Sequence, residues 1–250
     1  MCGRYVSATA ASKLAEEFHV DEVVVEDLGE RYNVAPTLDV YAIVTASEGK
    51  RRMGSLRWGL VPGFAKDEKI GNRMINLRAD TVLARPAFTR LLDKRRCIVP
   101  ADGFYEWQKP DKQPFYITSA HGGPLAFAGL WDKWHDLRSV TLVTGEPNDL
   151  VAKIHDRMVV CLPEKAWDRW LDPSVGADEA ASLLVPLPSA QLRAYPVVKL
   201  VSNVKNEGPQ LLEPLAGHEP RTSGLTDERP VREAGGSGGG ALDGGGGLER

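Results

Sequence analysis

Short segments rich in β-branched and aromatic residues recur along the chain, and they do not alternate regularly with helical segments. Regular alternation is typical of a doubly wound parallel sheet, so the pattern argues against that fold and favours an α+β domain. We therefore expect a mainly antiparallel, partly closed β-sheet core with peripheral helices. The predicted strands are Val40–Thr45, Cys97–Val99, Phe115–Thr118, Leu125–Ala128, Val140–Thr144 and Val159–Leu162. The predicted helices are Ala10–Phe18 and Pro163–Leu171.

The composition changes near the C-terminus. Beyond Pro214–Gly217 the chain has few large apolar residues and ends in glycine-rich runs. Such a segment cannot bury enough surface to offset its conformational entropy. We expect one compact domain over residues 1–217 and a disordered, glycine-rich tail over residues 218–250.

The overall composition is that of an ordinary soluble globular protein, with 42% hydrophobic and 26% charged residues and a net charge of −3. No apolar run of about 18 residues predicts a membrane span, and no basic segment followed by an apolar one predicts secretion. The three cysteines, Cys2, Cys97 and Cys161, are too few and too scattered for a disulfide framework. No zinc-binding spacing occurs, so we expect no metal or cofactor. The few, scattered cysteines favour a reducing, cytoplasmic location.

Cys2 directly follows the initiator Met1. Removal of Met1 would leave a residue with a free α-amine and a β-thiol on adjacent carbons. Such a 1,2-aminothiol condenses with an aldehyde to an imine, and the thiol then closes a five-membered thiazolidine. An α-amine titrates at about 7.7–8.0, so part of it is uncharged at neutral pH. The alternative is that Cys2 is an ordinary residue beside a start codon.

Three polar residues between apolar and turn-forming neighbours are candidates for chemistry. Glu106 lies among aromatic residues, which predicts a raised pKa suited to proton transfer, or else a strand glutamate that faces solvent. His155 is either a general acid or a structural histidine. Asn76 either donates a hydrogen bond to a ligand or belongs to a turn.

Basic residues are bunched in three stretches of the sequence: Lys50–Arg57, Arg73–Arg90 and Lys94–Arg96. A local basic patch can bind a phosphate backbone whatever the overall charge of the protein. The alternative for each stretch is solvated surface.

Six motifs occur in an order seen in one family, and later segments such as Ala128–Trp131 and Ser202–Asn206 agree with it. The chain therefore closely resembles the SOS-response-associated peptidase (SRAP) family over residues 2–215. The six motifs are Met1–Tyr5, Arg31–Pro36, Trp58–Pro62, Asn76–Asp80, Asp102–Trp107 and His155–Met158.

The resemblance implies covalent capture of abasic sites in single-stranded DNA. It implies Cys2 as nucleophile, Asn76 as its orienting residue, and Glu106 and His155 as proton-transfer groups. It also implies a DNA-binding set, which consists of Arg4, Asn33, Pro36, Trp58, Arg78 and Arg157. Arg4 is further expected to favour the Cys2 thiolate.

The resemblance also implies the protein's setting. We expect a monomer in a bacterial cytoplasm that joins the nucleoid when bound to DNA. Its partner is single-stranded DNA that contains abasic sites.

The chain departs from the family pattern at three positions. Phe64 stands where tryptophan is usual, Asp80 where glutamate is common and Val159 where proline is typical. The change at Phe64 bears on how flanking bases would be unstacked.

Two other function classes use the same residues. A thiol peptidase or self-processing hydrolase would have Cys2 as nucleophile and His155 as base. A non-catalytic single-strand-binding module would use the arginines and Trp58 without Cys2 or Glu106.

Overall fold

The computed structural model describes residues 2–46 and 48–218. The predicted tail therefore lies outside the described residues except for His218, and the division into domain and tail stays a prediction. Thirteen strands and four α-helices lie in the described part of the chain. They are β1 Tyr5–Ser7, α1 Ala11–Glu17, β2 Glu22–Val23, β3 Arg31–Val34, β4 Asp39–Thr45, β5 Arg51–Trp58, β6 Asn76–Arg78, α2 Pro86–Lys94, β7 Arg96–Ala101, β8 Gly103–Gln108, β9 Gln113–Ser119, β10 Leu125–Trp134, β11 Leu137–Gly145, β12 Met158–Val159, α3 Trp167–Leu171, α4 Ala177–Ser182 and β13 Leu192–Pro196.

The larger sheet closes on itself as a small barrel. Its strand order is β12-β11-β10-β7-β4-β5-β2, and β11 also pairs in parallel with β5 through Val140 and Trp58. This last pairing joins β11, β10, β7, β4 and β5 into a ring, while the other pairs within the ring are antiparallel. The predicted α+β class with a mainly antiparallel, partly closed sheet is confirmed.

The barrel interior follows from the two-residue period of its strands. Alternate residues such as Ala42, Leu56, Val99, Phe127 and Val140 point inward and form one buried cluster. The residues between them point outward, and there they pack against the helices. Among these outward residues are Tyr41, Ile43, Met53 and Ile98.

A second sheet, with strand order β13-β9-β8-β1-β3, covers one end of the barrel. Tyr5, Phe104 and Ile117 from this sheet belong to the same buried cluster as the inward residues of the barrel. The opposite face of the sheet carries Tyr105 and Tyr116, which pack in a separate small core. The N-terminal residues therefore lie where the two sheets meet.

The excursion between β5 and β6 returns the chain to the barrel wall. Gly59 leaves β5 with φ +122°, and a Cβ there would lie 2.7 Å from the carbonyl oxygen of Gly71. The Leu60 amide donates to the Met74 carbonyl oxygen at 3.0 Å, which holds the two ends of the excursion together. Strand β6 then pairs with β11 beyond the point where β5 stopped.

Most predicted elements are confirmed, with different bounds. The predicted helix Pro163–Leu171 consists of a 3-10 turn over Glu164–Ala166 followed by α3. The predicted strand Val159–Leu162 is shorter, since β12 ends at Val159 and only Cys161 continues as a bridge to Phe127. No helix in the described ranges is long and apolar enough to cross a bilayer.

Candidate functional site

Cys2 lies at the covered end of the barrel, and its side chain has no solvent-exposed surface. Tyr5, which begins β1 three residues later, stacks edge-on against Trp58 and Phe127 with ring centroids 5.4 and 5.7 Å apart. Burial raises the pKa of the Cys2 thiol well above its ordinary value, and the negative charge of Glu106 raises it further. The thiol is therefore held in its neutral form.

This result corrects the expectation that Arg4 favours the thiolate. The Arg4 Nη1 atom donates to Asn33 Oδ1 at 2.8 Å and to the Val201 carbonyl oxygen at 3.0 Å. The charge of Arg4 is thus held by these two oxygen atoms, while burial has the largest effect on the pKa of the Cys2 thiol. The Cys2 Sγ atom instead lies 3.8 Å from the backbone oxygen of Arg4.

Asn76 is the first residue of β6, and its side chain reaches the N-terminal segment. Its Nδ2 atom donates to the backbone oxygen of Cys2 at 2.8 Å. The other amide atom, Oδ1, is buried and has no hydrogen-bond partner among the described residues. The side chain therefore fixes Cys2 and keeps one acceptor available.

Glu106 lies on β8 with its side chain only 1% exposed. It shares a strand face with Phe104, and that face is directed into the barrel-end core. Tyr105 and Trp107 point to the opposite face and pack in the other core. The alternative that Glu106 faces solvent is therefore wrong. Burial raises the pKa of its carboxyl group to about 7.

His155 follows a 3-10 turn over Val151–Lys153, and this turn is tied to β8. Gln108 Nε2 donates to the Lys153 backbone oxygen at 2.8 Å, and the His155 amide donates to the Val151 oxygen at 2.8 Å. Since Gln108 and Glu106 are two residues apart on one strand face, the loop is held at the end of β8 that carries Glu106.

Two groups compete for the Nδ1 atom of His155. The Arg157 amide donates to it at 3.0 Å, which requires an unprotonated Nδ1, and Asp156 Oδ1 lies 2.9 Å away, which favours a protonated one. Burial lowers the pKa of His155 below its ordinary value. The neutral ring, which carries a single N–H, is therefore favoured.

Asn33 and Trp58, two predicted DNA-binding residues, are structural supports in this conformation. The Asn33 side chain is 2% exposed and donates to the backbone oxygens of Asn203 and Asn206 at 3.0 and 2.9 Å. Trp58 has no exposed surface, and its Nε1–H donates to the Ile75 oxygen at 2.9 Å. Both side chains are buried in this conformation, and their role in DNA binding stays a prediction. Sequence alone missed this burial because both residues sit in the family motifs.

The remaining predicted DNA-binding residues are accessible to different degrees. Arg4, Pro36 and Arg157 are half-buried, whereas Arg78 is exposed. Strand β6, which carries Arg78, lies beside β11 at Thr144, and β12, which directly follows Arg157, pairs with the same residue. The two arginines thus approach the end of β11 from two neighbouring strands.

Asp80 lies between these charges and was missed as a functional candidate. Arg78 Nε donates to Asp80 Oδ1 at 2.8 Å, and Arg78 Nη2 also contacts Oδ2. The hydrogen bonds from Arg78, with the charge of Arg157, hold the pKa of Asp80 below its usual range. This carboxylate neutralises part of the positive surface beside the site.

The three basic stretches of the sequence do not form one surface. Arg96 is buried, with its guanidinium on backbone oxygens that include those of Leu92 and Trp170. Arg51 contacts Asp168 and the backbone oxygen of Phe18. The guanidinium groups of Arg51 and Arg96 therefore make contacts within the protein.

The site contains no arrangement typical of a metal centre. In residues 2–46 and 48–218, no group of three or more histidine, cysteine, aspartate or glutamate side chains could hold a metal ion. The chemistry available is that of a buried thiol, a carboxyl group that titrates near neutrality, an imidazole and an amide.

Residues 1–204 match the family described as SOS response associated peptidase (SRAP), and the chain belongs to this family. It is 40% identical over 223 residues to the abasic site processing protein YoqW of Bacillus subtilis, an alignment that covers 85% of this chain and 99% of that one. It is 29% identical over 227 residues to the abasic site processing protein YedK of Escherichia coli, with 86% and 100% covered. The abasic site processing protein HMCES of Gallus gallus is 32% identical over 202 residues, with 68% and 60% covered.

Solved structures agree with this membership at the level of the fold. A protein from Bacteroides thetaiotaomicron superposes with a TM-score of 0.76 at 25% identity, and 86% of this chain and 100% of that one are covered. A protein from Bordetella bronchiseptica gives a TM-score of 0.67 at 27% identity, with 79% and 100% covered.

Proposed function

We propose that this protein processes abasic sites in single-stranded DNA and captures them in a covalent thiazolidine with Cys2, after removal of Met1. The observation that carries the proposal is the environment of Cys2, whose backbone is held by Asn76 and whose thiol lies beside a carboxyl group with a pKa of about 7. Relatives named abasic site processing proteins support the choice of substrate.

The chemistry begins at the open-chain form of the abasic sugar, which carries an aldehyde at C1′. The neutral α-amine of Cys2 adds to C1′ to form a carbinolamine, and loss of water gives an iminium ion. The Cys2 sulfur then bonds to this same carbon, and the thiol proton passes to Glu106, which thereby regains the proton it gave to the departing water. The adduct equals protein plus DNA minus one water. Ring closure is intramolecular, and well-oriented groups reach effective molarities of about 10⁵ M or more.

The raised pKa of the thiol sets the order of these steps. A neutral, buried thiol is a poor nucleophile, so the amine attacks first and the thiol reacts with the more electrophilic iminium carbon. Glu106 accepts a proton in one step and returns it in another, which a pKa of about 7 allows at neutral pH. Asn76 holds the Cys2 carbonyl, so the amine and thiol keep one orientation.

His155 is assigned to ring opening of the closed sugar. A neutral imidazole has one nitrogen with a free lone pair, which can accept the proton of the C1′ hydroxyl of the closed sugar. The lowered pKa keeps the ring neutral at pH 7, so it can take this proton, and the imidazolium that forms can return a proton to the ring oxygen as the sugar opens.

Single-stranded DNA suits the surface around the site. Arg78 and Arg157 flank the end of β11, where they can hold phosphates on either side of the reacting sugar. Phe64, in the excursion between β5 and β6, is 69% exposed and supplies an apolar surface for a flanking base. An exposed phenylalanine retains this stacking role where the family usually has tryptophan.

The test is intact mass spectrometry after incubation with an abasic single-stranded oligonucleotide. We expect a mass gain equal to the oligonucleotide minus one water, mapped to Cys2. The adduct should be absent in Cys2→Ala, which should still bind DNA weakly and in a salt-sensitive way. Cys161→Ala, which also removes a buried thiol, is the matched control and should retain the adduct.

An added N-terminal residue that blocks removal of Met1 should also abolish the thiazolidine, since the amine is then an amide. An unchanged adduct yield in Cys2→Ala would overturn the proposal. Cleavage of a generic peptide panel that depends on Cys2, without any DNA adduct, would favour the peptidase alternative.

A further inference from the structure

The barrel has a second opening at the end away from Cys2. A cavity of about 500 Å³ lies there, and its wall is made largely by inward-facing positions of the barrel strands. The wall includes Ala42, Val44, Gly54, Leu56, Trp131 and Arg138. Below them the interior is filled by Trp58, Val99 and Val140, so the opening does not lead to Cys2.

Gly54 keeps this opening free. It lies in the middle of β5 at an inward position, where glycine weakens a strand and often marks close approach of a ligand. A Cβ at Gly54 would have only Val24 Cγ2 within 4 Å, at 3.6 Å. At Gly129, another inward glycine, a Cβ would lie 2.7 Å from Cys97 Sγ. Close packing therefore accounts for Gly129, whereas Gly54 borders open space.

The mouth of the cavity combines an aromatic wall with positive charge. Trp131 is half-buried, and the guanidinium carbon of Arg95 lies 4.2 Å from its ring centroid. Arg138 is exposed and has no ion-pair partner within the described ranges. Arg52 also borders the cavity and is paired with Glu22 at 2.7 Å. An unpaired cation beside an aromatic and apolar wall is complementary to a flat ring that carries an anionic group.

We propose that this barrel mouth is a binding site for a small nucleoside phosphate, with the base against Trp131 and over Gly54 and the phosphate on Arg138. Mouths of β-barrels are common ligand sites, and the cavity has the size expected for a small molecule. The base stacks on an indole already polarised by Arg95, and the phosphate supplies the counter-charge that Arg138 lacks. This site is separate from Cys2 and goes beyond the proposed function.

Isothermal titration calorimetry of the full-length protein with dAMP tests the proposal. We expect saturable one-site binding, with deoxyadenosine and inorganic phosphate each at least tenfold weaker. Gly54→Leu, which fills the cavity, and Arg138→Gln, which removes the cation, should each weaken dAMP binding at least tenfold. Lys133→Gln, an exposed cation on the same hairpin, is the matched control and should leave binding unchanged.

The yield of adduct with abasic DNA reports on folding independently of this site. It should be unchanged in Arg138→Gln, so a failure of Gly54→Leu to fold does not remove the test. No measurable dAMP binding, or equal binding by wild type and Arg138→Gln, would overturn the proposal. Equal affinity for deoxyadenosine or for inorganic phosphate would overturn it too, because either the phosphate or the base would then contribute nothing.

Discussion

The side-chain amide of Asn76 donates to the backbone oxygen of Cys2 across a distance of 2.8 Å. The two residues are 74 positions apart in sequence, and they meet because β6 returns to the barrel wall beside β11. This contact fixes the backbone of Cys2, from which the thiol extends.

Asn76→Ala should slow adduct formation at least tenfold while the protein remains folded. A hydrogen bond of this kind contributes only about 1 kcal/mol to stability, so the melting temperature should fall by a few degrees at most. Single-turnover kinetics with abasic DNA and a thermal melt provide the two measurements. Asn76→Asp is nearly isosteric but cannot donate, and it should be equally slow. A normal rate in Asn76→Asp would show that the donated hydrogen bond is unimportant.

The rate of adduct formation should rise with pH through about 7. Glu106 must be ionised to accept a proton, and its pKa is raised to about 7 by burial. In Glu106→Gln the rise in rate near pH 7 should disappear, and only the rise from the titration of the α-amine, at about pH 8, should remain. A pH–rate profile from 5.5 to 9 measures both. An identical profile in the variant would exclude Glu106 as the titrating group.

Glu106→Gln should also change how stability depends on pH. The pKa of Glu106 is higher in the folded protein than the ordinary value of 4.5. The contribution of Glu106 to the free energy of unfolding is therefore fully present below pH 4.5 and is lost as pH rises through about 7. The free energy of unfolding of the variant minus that of wild type should therefore be larger at pH 8 than at pH 4, by up to about 3 kcal/mol. Urea unfolding at both pH values measures this difference, and no change in it would contradict the raised pKa.

Asp80→Asn should tighten binding of single-stranded DNA about three- to tenfold at low salt and steepen its salt dependence, because Arg78 and Arg157 lose a competing carboxylate. Fluorescence anisotropy over a salt series, in the Cys2→Ala background, measures affinity without crosslinking. Asp136→Asn changes the net charge equally at an exposed hairpin position and serves as control. Equal effects of the two variants would point to net charge alone.

Gly59→Ala should destabilise the protein by about 2 kcal/mol or more. Its φ is +122°, and the added Cβ would lie 2.7 Å from the Gly71 oxygen. Gly49→Ala also places alanine at positive φ, but with nothing within 4 Å, so it should cost only about 1 kcal/mol. Urea denaturation distinguishes the two. Similar losses would mean that the contact with Gly71 relaxes freely.

Local sequence predicted some site properties well and others poorly. The aromatic neighbours of Glu106 indicated a raised pKa, and the alternation of β8 produces it by turning the carboxylate into the core. For Arg4 the local argument was wrong, since proximity in sequence to Cys2 did not determine where the guanidinium lies. Asn33, 29 residues away, accepts its hydrogen bond and directs the charge elsewhere.

The sequence by itself determined the α+β class, most strand positions and the family, because these depend on residue patterns and ordered motifs. Only the tertiary structure decided which motif residues are accessible and which are buried supports, since burial depends on contacts between distant segments. Trp58 is hidden by the closing of β5 on β11, and the raised pKa of the Cys2 thiol comes from the sheet that covers the barrel end. The sequence places a cysteine beside the initiator methionine, and the fold keeps the thiol of this cysteine neutral and its backbone held by Asn76.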